Sequence, residues 1–242
     1  MAQIVVVIPC YNEAARLAPE KFSLLLDHDD VGLLFVDDGS TDRTLEVLET
    51  MRADLGAGTD ILALPENRGK AEAVRAGLAH ALAGGAEIVG YLDADMATPP
   101  DEALRLIDAL VAGGVDAVIG ARIAFMGTDI HRSPVRHYLG RVFATFASVI
   151  LAERIYDTQC GAKFFRAGPA LTRAIDEPFP SRWAFDVELL GRFLAAGGTL
   201  MEVPLRRWID IEGSKMNPGS MIRGGLDLVS IAVRLRRRKS GG

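Results

Sequence analysis

Two aspartates one residue apart, Asp93 and Asp95 with Ala94 between them, close an apolar run over residues 87–92 that reads as a β-strand. On extended chain, residues two apart point to the same side. Two same-side carboxylates call for a positive partner between them. A divalent cation with hard oxygen ligands, of the kind that also holds a diphosphate, meets that need. The plainer reading is a solvated turn with an aspartate capping the next helix. Other acids follow other apolar runs. Glu13 ends Pro9-Cys10-Tyr11-Asn12-Glu13, and Asp37 and Asp38 lead into Gly39-Ser40-Thr41-Asp42. Lys70 ends the polar stretch Glu66-Asn67-Arg68-Gly69-Lys70.

The elements that must position these groups can be read from periodicity. Residues 3–8 and 31–36 are apolar and rich in β-branched types, as in strands buried on both faces. The first is expected to stop at Pro9. Residues 60–64, 87–92 and 115–120 continue the series, and helical spacing follows at 43–51, 71–83 and from Asp101 onward. Pro99 and Pro100 suit the first turn of that last helix, and the acids after them suit its dipole. Strands alternating with helices imply an α/β domain with a mainly parallel sheet flanked by helices. Ligands of such sheets bind outside the carboxyl ends of the strands, where Tyr11, Glu13, Asp37, Asp38, Asp93 and Asp95 all fall. Neither a Gly-x-Gly-x-x-Gly nor a Gly-Lys-Ser/Thr phosphate loop occurs.

The chain has 242 residues, 49% of them hydrophobic and 24% charged, enough for one large folded domain. A net charge of -5 makes no case for nucleic acid as a partner. Cys10 and Cys160 form no framework and lack metal-ligand spacing, so a reducing, cytoplasmic setting is expected. The start enters a strand without a basic leader. The longest uncharged apolar run, 142–152, is shorter than the roughly 20 residues a bilayer requires.

Past Arg122, which follows the fifth strand, the pattern changes. Residues 134–153 read as a helix whose apolar face is Val135, Leu139, Val142, Phe143, Phe146 and Ile150, with Arg136, His137 and Arg141 near its start. Such a pattern suits either an amphipathic surface helix or a lid that presents arginines to an anion. An unpaired Arg122 at the acidic sheet edge would suit a phosphate. Asp157-Thr158-Gln159-Cys160-Gly161 is a polar turn before a short strand at 163–166. Asp186 stands at a helix start, where the dipole favours an acid. Lys215 lies in Glu212-Gly213-Ser214-Lys215. The last segment, 219–242, has an apolar stretch that ends in Arg234, Arg236, Arg237, Arg238 and Lys239, and suits a helix resting on anionic lipid.

Pro9-Cys10-Tyr11-Asn12-Glu13, 36–42, 67–70 and Asp93-Ala94-Asp95 together resemble the nucleotide-sugar half of a family 2 glycosyltransferase of the glycosyltransferase A fold. Residues 157–165, 182–190 and 212–215 resemble the dolichyl-phosphate β-glucosyltransferases most closely, and the dolichyl-phosphate mannose synthases more distantly. The resemblance implies a catalytic domain over 1–218, with a donor half at 1–122, an acceptor half at 123–218 and an appended basic amphipathic segment. It implies metal-assisted, inverting transfer of a hexose, with UDP-glucose favoured as donor, to a polyprenyl phosphate at the cytosolic face of a membrane. Pro9, Tyr11, Glu13 and Asp38 would flank the nucleotide, and Lys70, Ala94 and Lys215 would lie close to the donor. Asp93 and Asp95 would hold Mg2+ or Mn2+. Asp95, Arg122, Asp157 and Asp186 are candidate catalytic groups; Arg122, Arg136, Arg141 and Gln159 are candidate acceptor contacts. The mannose synthases carry a glutamine two residues after the second aspartate, and Ala97 stands there instead. A GDP-mannose donor, a soluble hydroxyl acceptor and a sugar-nucleotide-binding module without turnover are the alternatives. A hydroxyl acceptor would make a base such as Asp186 essential.

Overall fold

The computed structural model describes residues 3–28, 30–131, 134–209 and 218–240, without the side chains of 131, 134–139, 218–223, 226 and 237–240. In chain order the elements are β1 (Ile4–Cys10), α1 (Glu20–Leu26), β2 (Val31–Asp37), α2 (Thr44–Leu55), β3 (Thr59–Ala63) and α3 (Lys70–Ala83). There follow β4 (Ile88–Leu92), α4 (Pro100–Ala112), β5 (Ala117–Ala121), β6 (Asp129–His131) and α5 (Pro134–Leu151). The rest are β7 (Ala162–Arg166), α6 (Pro169–Ala174), α7 (Phe185–Ala195), β8 (Leu200–Pro204), β9 (Arg207–Ile209) and α8 (Pro218–Ser240).

Seven strands form one sheet in the order β3-β2-β1-β4-β7-β5-β8, and β6 and β9 pair separately. All neighbours in the large sheet run parallel except β7, which is antiparallel to both β4 and β5. A strand from the second half of the sequence thus sits in the middle of the sheet, and the two halves of the chain share one scaffold. β1 runs two residues further than expected, through Pro9. Its pairing with β4 ends at Val7↔Tyr91, so the N–H that Pro9 lacks costs nothing on that side.

Side-chain alternation sorts the core into two layers. Val5, Val7, Val36, Val89, Tyr91, Ile119 and Phe165 face α3, α5, α6, α7 and α8. Ile4, Val6, Ile8, Phe35, Leu92, Val118 and Phe164 face α1, α2 and α4. Burial on both faces explains the nearly uninterrupted apolar runs in these strands.

The C-terminal segment does not stand apart. In α8, Leu228, Ile231 and Leu235 are buried in the core, and Gly224 packs against the Trp183 ring while Leu235 packs against Gly191 of α7. Arg234 donates to both oxygens of the buried Glu188 carboxylate at 3.1 and 2.9 Å. One of the five basic residues expected to meet lipid is therefore committed to the interior.

The β4–β7 contact leaves no room for a side chain at Gly90. A methyl there would land on the Phe164 ring and lie 2.5 Å from the Lys163 carbonyl oxygen, which is backbone and cannot swing aside. Gly90→Ala is expected to cost about 3 kcal/mol of stability by urea unfolding. A loss under about 1 kcal/mol would show that the two strands are less tightly apposed than this.

Candidate functional site

The loops after β1, β2, β3 and β4 meet at one edge and are tied to one another. Asn12, which takes the left-handed conformation (φ 53), accepts hydrogen bonds from Thr41 N (2.9 Å) and Asp42 N (3.3 Å) through Oδ1. Its own N–H donates to Ser40 Oγ, and Glu13 N donates to Thr44 Oγ1. Tyr11 remains exposed at the rim. Glu13 is bonded by Arg16 through both carboxylate oxygens. Burial nonetheless raises its pKa, and Asp95 and Asp42 add to the rise.

Asp38 does not fit the expected contact with the base or ribose. It is buried, and its carboxylate accepts from Asn67 Nδ2 (2.9 Å), Arg68 N (2.9 Å) and Gly69 N (2.7 Å). It holds the loop that delivers Lys70. Asp37, one residue earlier, has the opposite condition: Oδ1 is buried and has no hydrogen-bond partner.

β4 ends at Leu92, and Ala94 and Asp95 lie in a turn in which Met96 N donates to the Asp93 carbonyl at 3.1 Å, so a turn and not the expected strand period brings the two carboxylates close enough to interact. Lys70 Nζ lies 2.5 Å from Asp93 Oδ1. Burial works against the Lys70 charge, but Asp93, Asp186 and Asp95 outweigh it and hold its pKa above the ordinary value. Burial first, and then the Asp93 charge, raise the pKa of Asp95, while a hydrogen bond from Ala97 N works the other way. Met96 follows with a positive φ of 56, a strained conformation for a large side chain. Asp93 keeps its place because Gly161, just before β7, has no side chain. A Cβ there would overlap the Asp93 carboxylate. Two partly buried acids, the first of which disfavours the charge of the second, fit a divalent cation. Among the described residues no group of three His, Cys, Asp or Glu side chains gathers around them. The remaining ligands would have to come from a bound diphosphate and water.

Behind the aspartates lies a pair that the motifs did not reveal. Lys163 is fully buried (0% exposed). Its ammonium donates to Asp186 Oδ1 (2.6 Å) and to the Cys160 carbonyl (2.5 Å). The Tyr91 hydroxyl donates to the same Asp186 oxygen. Burial, and then the Asp186 charge, push the tyrosine pKa well above its ordinary value, so it stays a proton donor. Asp186 sits in the first turn of α7, as expected for a helix-start acid, and its neighbour Phe185 lies under Lys70 at 5.9 Å. A lysine inside the apolar run Ala162–Arg166 was the available signal, since a buried lysine needs a partner.

Arg122, Arg141, Gln159 and Asp157 do come together, lining one narrow cleft with Tyr156 and Thr158. Arg122 is not unpaired, however. Asp157 takes its Nε (2.6 Å), its Nη2 (2.7 Å) and its backbone N–H (3.1 Å). Burial opposes the guanidinium charge, yet Asp157 raises its pKa. Asp157 in turn is fixed by Glu202, which accepts from the backbone N–H groups of Tyr156 (2.7 Å) and Asp157 (2.8 Å). Arg141 stacks 3.7 Å from the Tyr156 ring centroid. Thr158 Oγ1 is buried with no hydrogen-bond partner. Arg182, which opens the 182–190 stretch, has its guanidinium against Gly69 at the start of α3. The Arg136 side chain and Lys215 lie outside the described residues.

A mainly parallel sheet has acids at its carboxyl edge, a lysine paired with one of them and an arginine-lined cleft nearby, the parts of a candidate transferase site. The chain matches the model of glycosyl transferase family 2 over residues 5–173. It is 34% identical over 244 residues to a dolichyl-phosphate beta-glucosyltransferase of Trichomonas vaginalis, covering 95% of this chain and 71% of that one. To the dolichyl-phosphate beta-glucosyltransferase of Homo sapiens it is 31% identical, covering 96% and 75%. Among solved structures it resembles glucosyl-3-phosphoglycerate synthase from Mycobacterium tuberculosis in complex with UDP. The TM-score is 0.68 at 22% identity, over 95% of this chain and 80% of the other. A mannosyltransferase from Pyrobaculum calidifontis, in complex with GDP-Man and Mn2+, aligns with a TM-score of 0.65 at 21% identity, over 97% and 64%. The chain belongs to glycosyltransferase family 2, has the glycosyltransferase A fold and is a glycosyltransferase.

The need for a bare Gly161 can be tested. Asp93 is about one-third exposed, so a methyl at 161 can displace it outward without disturbing the core. Gly161→Ala is expected to weaken manganese-dependent binding of a nucleoside diphosphate about tenfold, about 1.4 kcal/mol, with little change in unfolding midpoint. Calorimetric titration reads the affinity, and an unchanged value would show that Asp93 is not needed where it stands.

Proposed function

We propose that the protein transfers glucose from UDP-glucose to a polyprenyl phosphate of the dolichyl type, with inversion, in the presence of a divalent metal. The observation that carries this reading is the run of relatives named dolichyl-phosphate beta-glucosyltransferase, 31–34% identical over nearly the whole chain. The site chemistry agrees with it. Asp93 and Asp95 would hold the metal, which neutralises the diphosphate as it departs. Lys70 adds a positive charge beside them, and Tyr11 and Glu13 border the nucleotide.

A phosphate monoester has its second pKa near 6 and is largely dianionic at pH 7, so it attacks without losing a proton. What it requires is relief from the donor's negative charge and alignment behind the sugar. The arginine cleft offers both. Asp157 holds Arg122 in a fixed orientation and leaves Nη1 outside the paired fork. Arg141 lies next to it, and Arg136 and Lys215 are the further cations proposed. Thr158 Oγ1 has a hydrogen-bonding capacity to offer.

Exposed apolar side chains support contact with a lipid surface. Val142, Phe146 and Val149 are 55, 60 and 74% exposed, and their i, i+4, i+7 spacing puts them on one face of α5. Phe143 and Ile150, expected on that same face, pack into the core instead. Val229 and Val233 are exposed on α8, which packs against α5. Among the described residues no helix is long and apolar enough to cross a membrane. Such an arrangement suits peripheral attachment at the cytosolic face.

Two experiments test these statements. Mn2+ with UDP is expected to raise the melting temperature more than Mn2+ with GDP, and Asp95→Asn should abolish the metal-dependent part. Labelled UDP-glucose with a short prenyl phosphate should yield glucosyl phosphoryl prenol. A larger shift with GDP, or labelled product only from GDP-mannose, would move the donor assignment. For the lipid surface, Phe146→Glu should reduce co-sedimentation with anionic vesicles by about tenfold, about 1.4 kcal/mol, while soluble nucleotide binding is unaffected. Equal sedimentation would remove α5 from the membrane contact.

A further inference from the structure

The buried lysine is a group that the transfer reaction as described does not use. Lys163 and Tyr91 are direct cross-strand partners in the antiparallel β4–β7 pair. Both stand on the sheet face that packs under α7, and both donate to one oxygen of Asp186. The second oxygen, Oδ2, accepts no hydrogen bond from the described residues, yet it is not among the buried atoms left without a partner. The Asp186 side chain retains 9% of its exposure, so Oδ2 is the atom that meets the site. Its electrostatic neighbours there are Lys70, which senses both Asp186 and Asp93, and through Lys70 the aspartate pair.

A carboxylate pinned in this way has a limited chemistry. Oδ1 is taken by an ammonium and a phenol, and rotation of the group would break both bonds. Oδ2 can only accept. It therefore suits a ligand that brings an O–H, and it repels a phosphate oxygen. In a glycosyltransferase the hydroxyl-rich ligand is the donor hexose, and the phosphate-bearing acceptor has the arginine cleft. We infer that Tyr91 and Lys163 are positioning residues that fix Asp186 so that its free oxygen accepts a hydrogen bond from a hydroxyl of the donor sugar. They orient the hexose toward the acceptor and keep phosphate out of the sugar's place. This rests on the nucleotide-sugar reading above and adds two residues to it.

The pair also explains why a fully buried lysine is tolerated at the centre of the sheet. An isoleucine would fill the same place without an ion to neutralise. Only the presentation of Asp186 requires the charge, because an aspartate in the first turn of α7 with no partner would be free to turn toward Lys70.

Tyr91→Phe removes one donor, keeps the ring that packs in the core, and leaves Lys163 to balance Asp186. UDP and UDP-glucose affinities are read by calorimetry, and turnover with a prenyl phosphate by product formation. UDP affinity should stay within about twofold, while the tighter binding of UDP-glucose over UDP shrinks and kcat falls about tenfold, on the scale that misplacement of a positioning group produces. On an Asp186→Asn background, Tyr91→Phe should add less than about twofold. Lys163→Met should reproduce the effect more strongly. If it does not fold, Lys163→Met with Asp186→Asn restores neutrality, and its sugar-dependent affinity should match that of Asp186→Asn alone. An unchanged UDP-glucose preference and kcat in Tyr91→Phe, or effects that multiply with those of Asp186→Asn, would overturn the inference. If the wild-type chain prefers GDP-mannose, the donor assignment falls and the same ratio is read with GDP-mannose over GDP. Binding of neither nucleotide sugar would overturn both readings.

Discussion

An ammonium without access to water is among the most expensive groups a fold can carry. The cost of desolvating one ion is several kcal/mol even after relaxation, and a buried pair that loses one partner is destabilised by about 3–5 kcal/mol. Lys163 stands in that position at the middle of the sheet, and the surrounding structure answers it. The antiparallel register sets Tyr91 opposite Lys163 and places Gly161 beside Asp93, whose N–H donates to the Gly161 carbonyl at 3.1 Å. A shift of one residue would turn Lys163 to the other face of the sheet, where Phe164 now packs. It would also set a side chain against Asp93. One pairing thus fixes the buried ion, the pinned carboxylate and the room for the outer aspartate.

Charge is distributed in the site with a clear division. One side has Asp93, Asp95, Asp186 and Glu13, with Lys70, Lys163 and Arg16 set among them, so it is short of positive charge. The other side has Arg122 and Arg141, with Asp157 held by Glu202 to fix the arginine fork. On the function proposed above, a metal-bound diphosphate would complete the first side and a phosphate the second, with the sugar between the two anions. Asp157 costs the cleft some of its net charge. In return the guanidinium cannot collapse across the sheet edge onto Asp93.

The alternation of strands with helices in the first half and the acid-tipped loops were legible because they follow from local rules. Unbroken apolar, β-branched runs locate β1, β2 and β4, and the end of the last of these locates Asp93 and Asp95. The central antiparallel strand was not legible as such. Residues 162–166 read as a short strand, but nothing local says that they insert between β4 and β5. For the same reason the partners of Arg122 and Asp186 were missed: each partner lies at least 20 residues away, and sequence spacing carries no information about it. Asp38 was expected to be a ligand contact because the family resemblance implies it. Its actual partners are the backbone N–H groups 30 and 31 residues later. The face of α5 was misjudged in a similar way. A helix apolar nearly all round offers several candidate faces, and only its contacts with α7 and α8 select Ala144, Ala147 and Leu151 as the buried side.

Those same contacts bear on how a lipid-borne substrate could be handled. α8 is fastened to α7 by the Arg234–Glu188 pair and by close packing at Gly191 and Gly224. It is fastened to the start of α7 by Asp227, which accepts from Ser181 Oγ at 2.7 Å. Ser181 Oγ in turn accepts from the N–H of Ala184, the residue just before the helix that carries Asp186. The segment 181–186 therefore touches four functions within six residues. Ser181 reaches α8, Arg182 reaches the donor loop at Gly69, Trp183 stacks edge-on against Phe143 of α5 at 4.9 Å, and Asp186 reaches Lys163. The helices with exposed apolar faces are thus joined to the Asp186–Lys163 pair through packed side chains and hydrogen bonds. These contacts would carry a shift of α5 or α8 to the start of α7, where the pinned carboxylate stands.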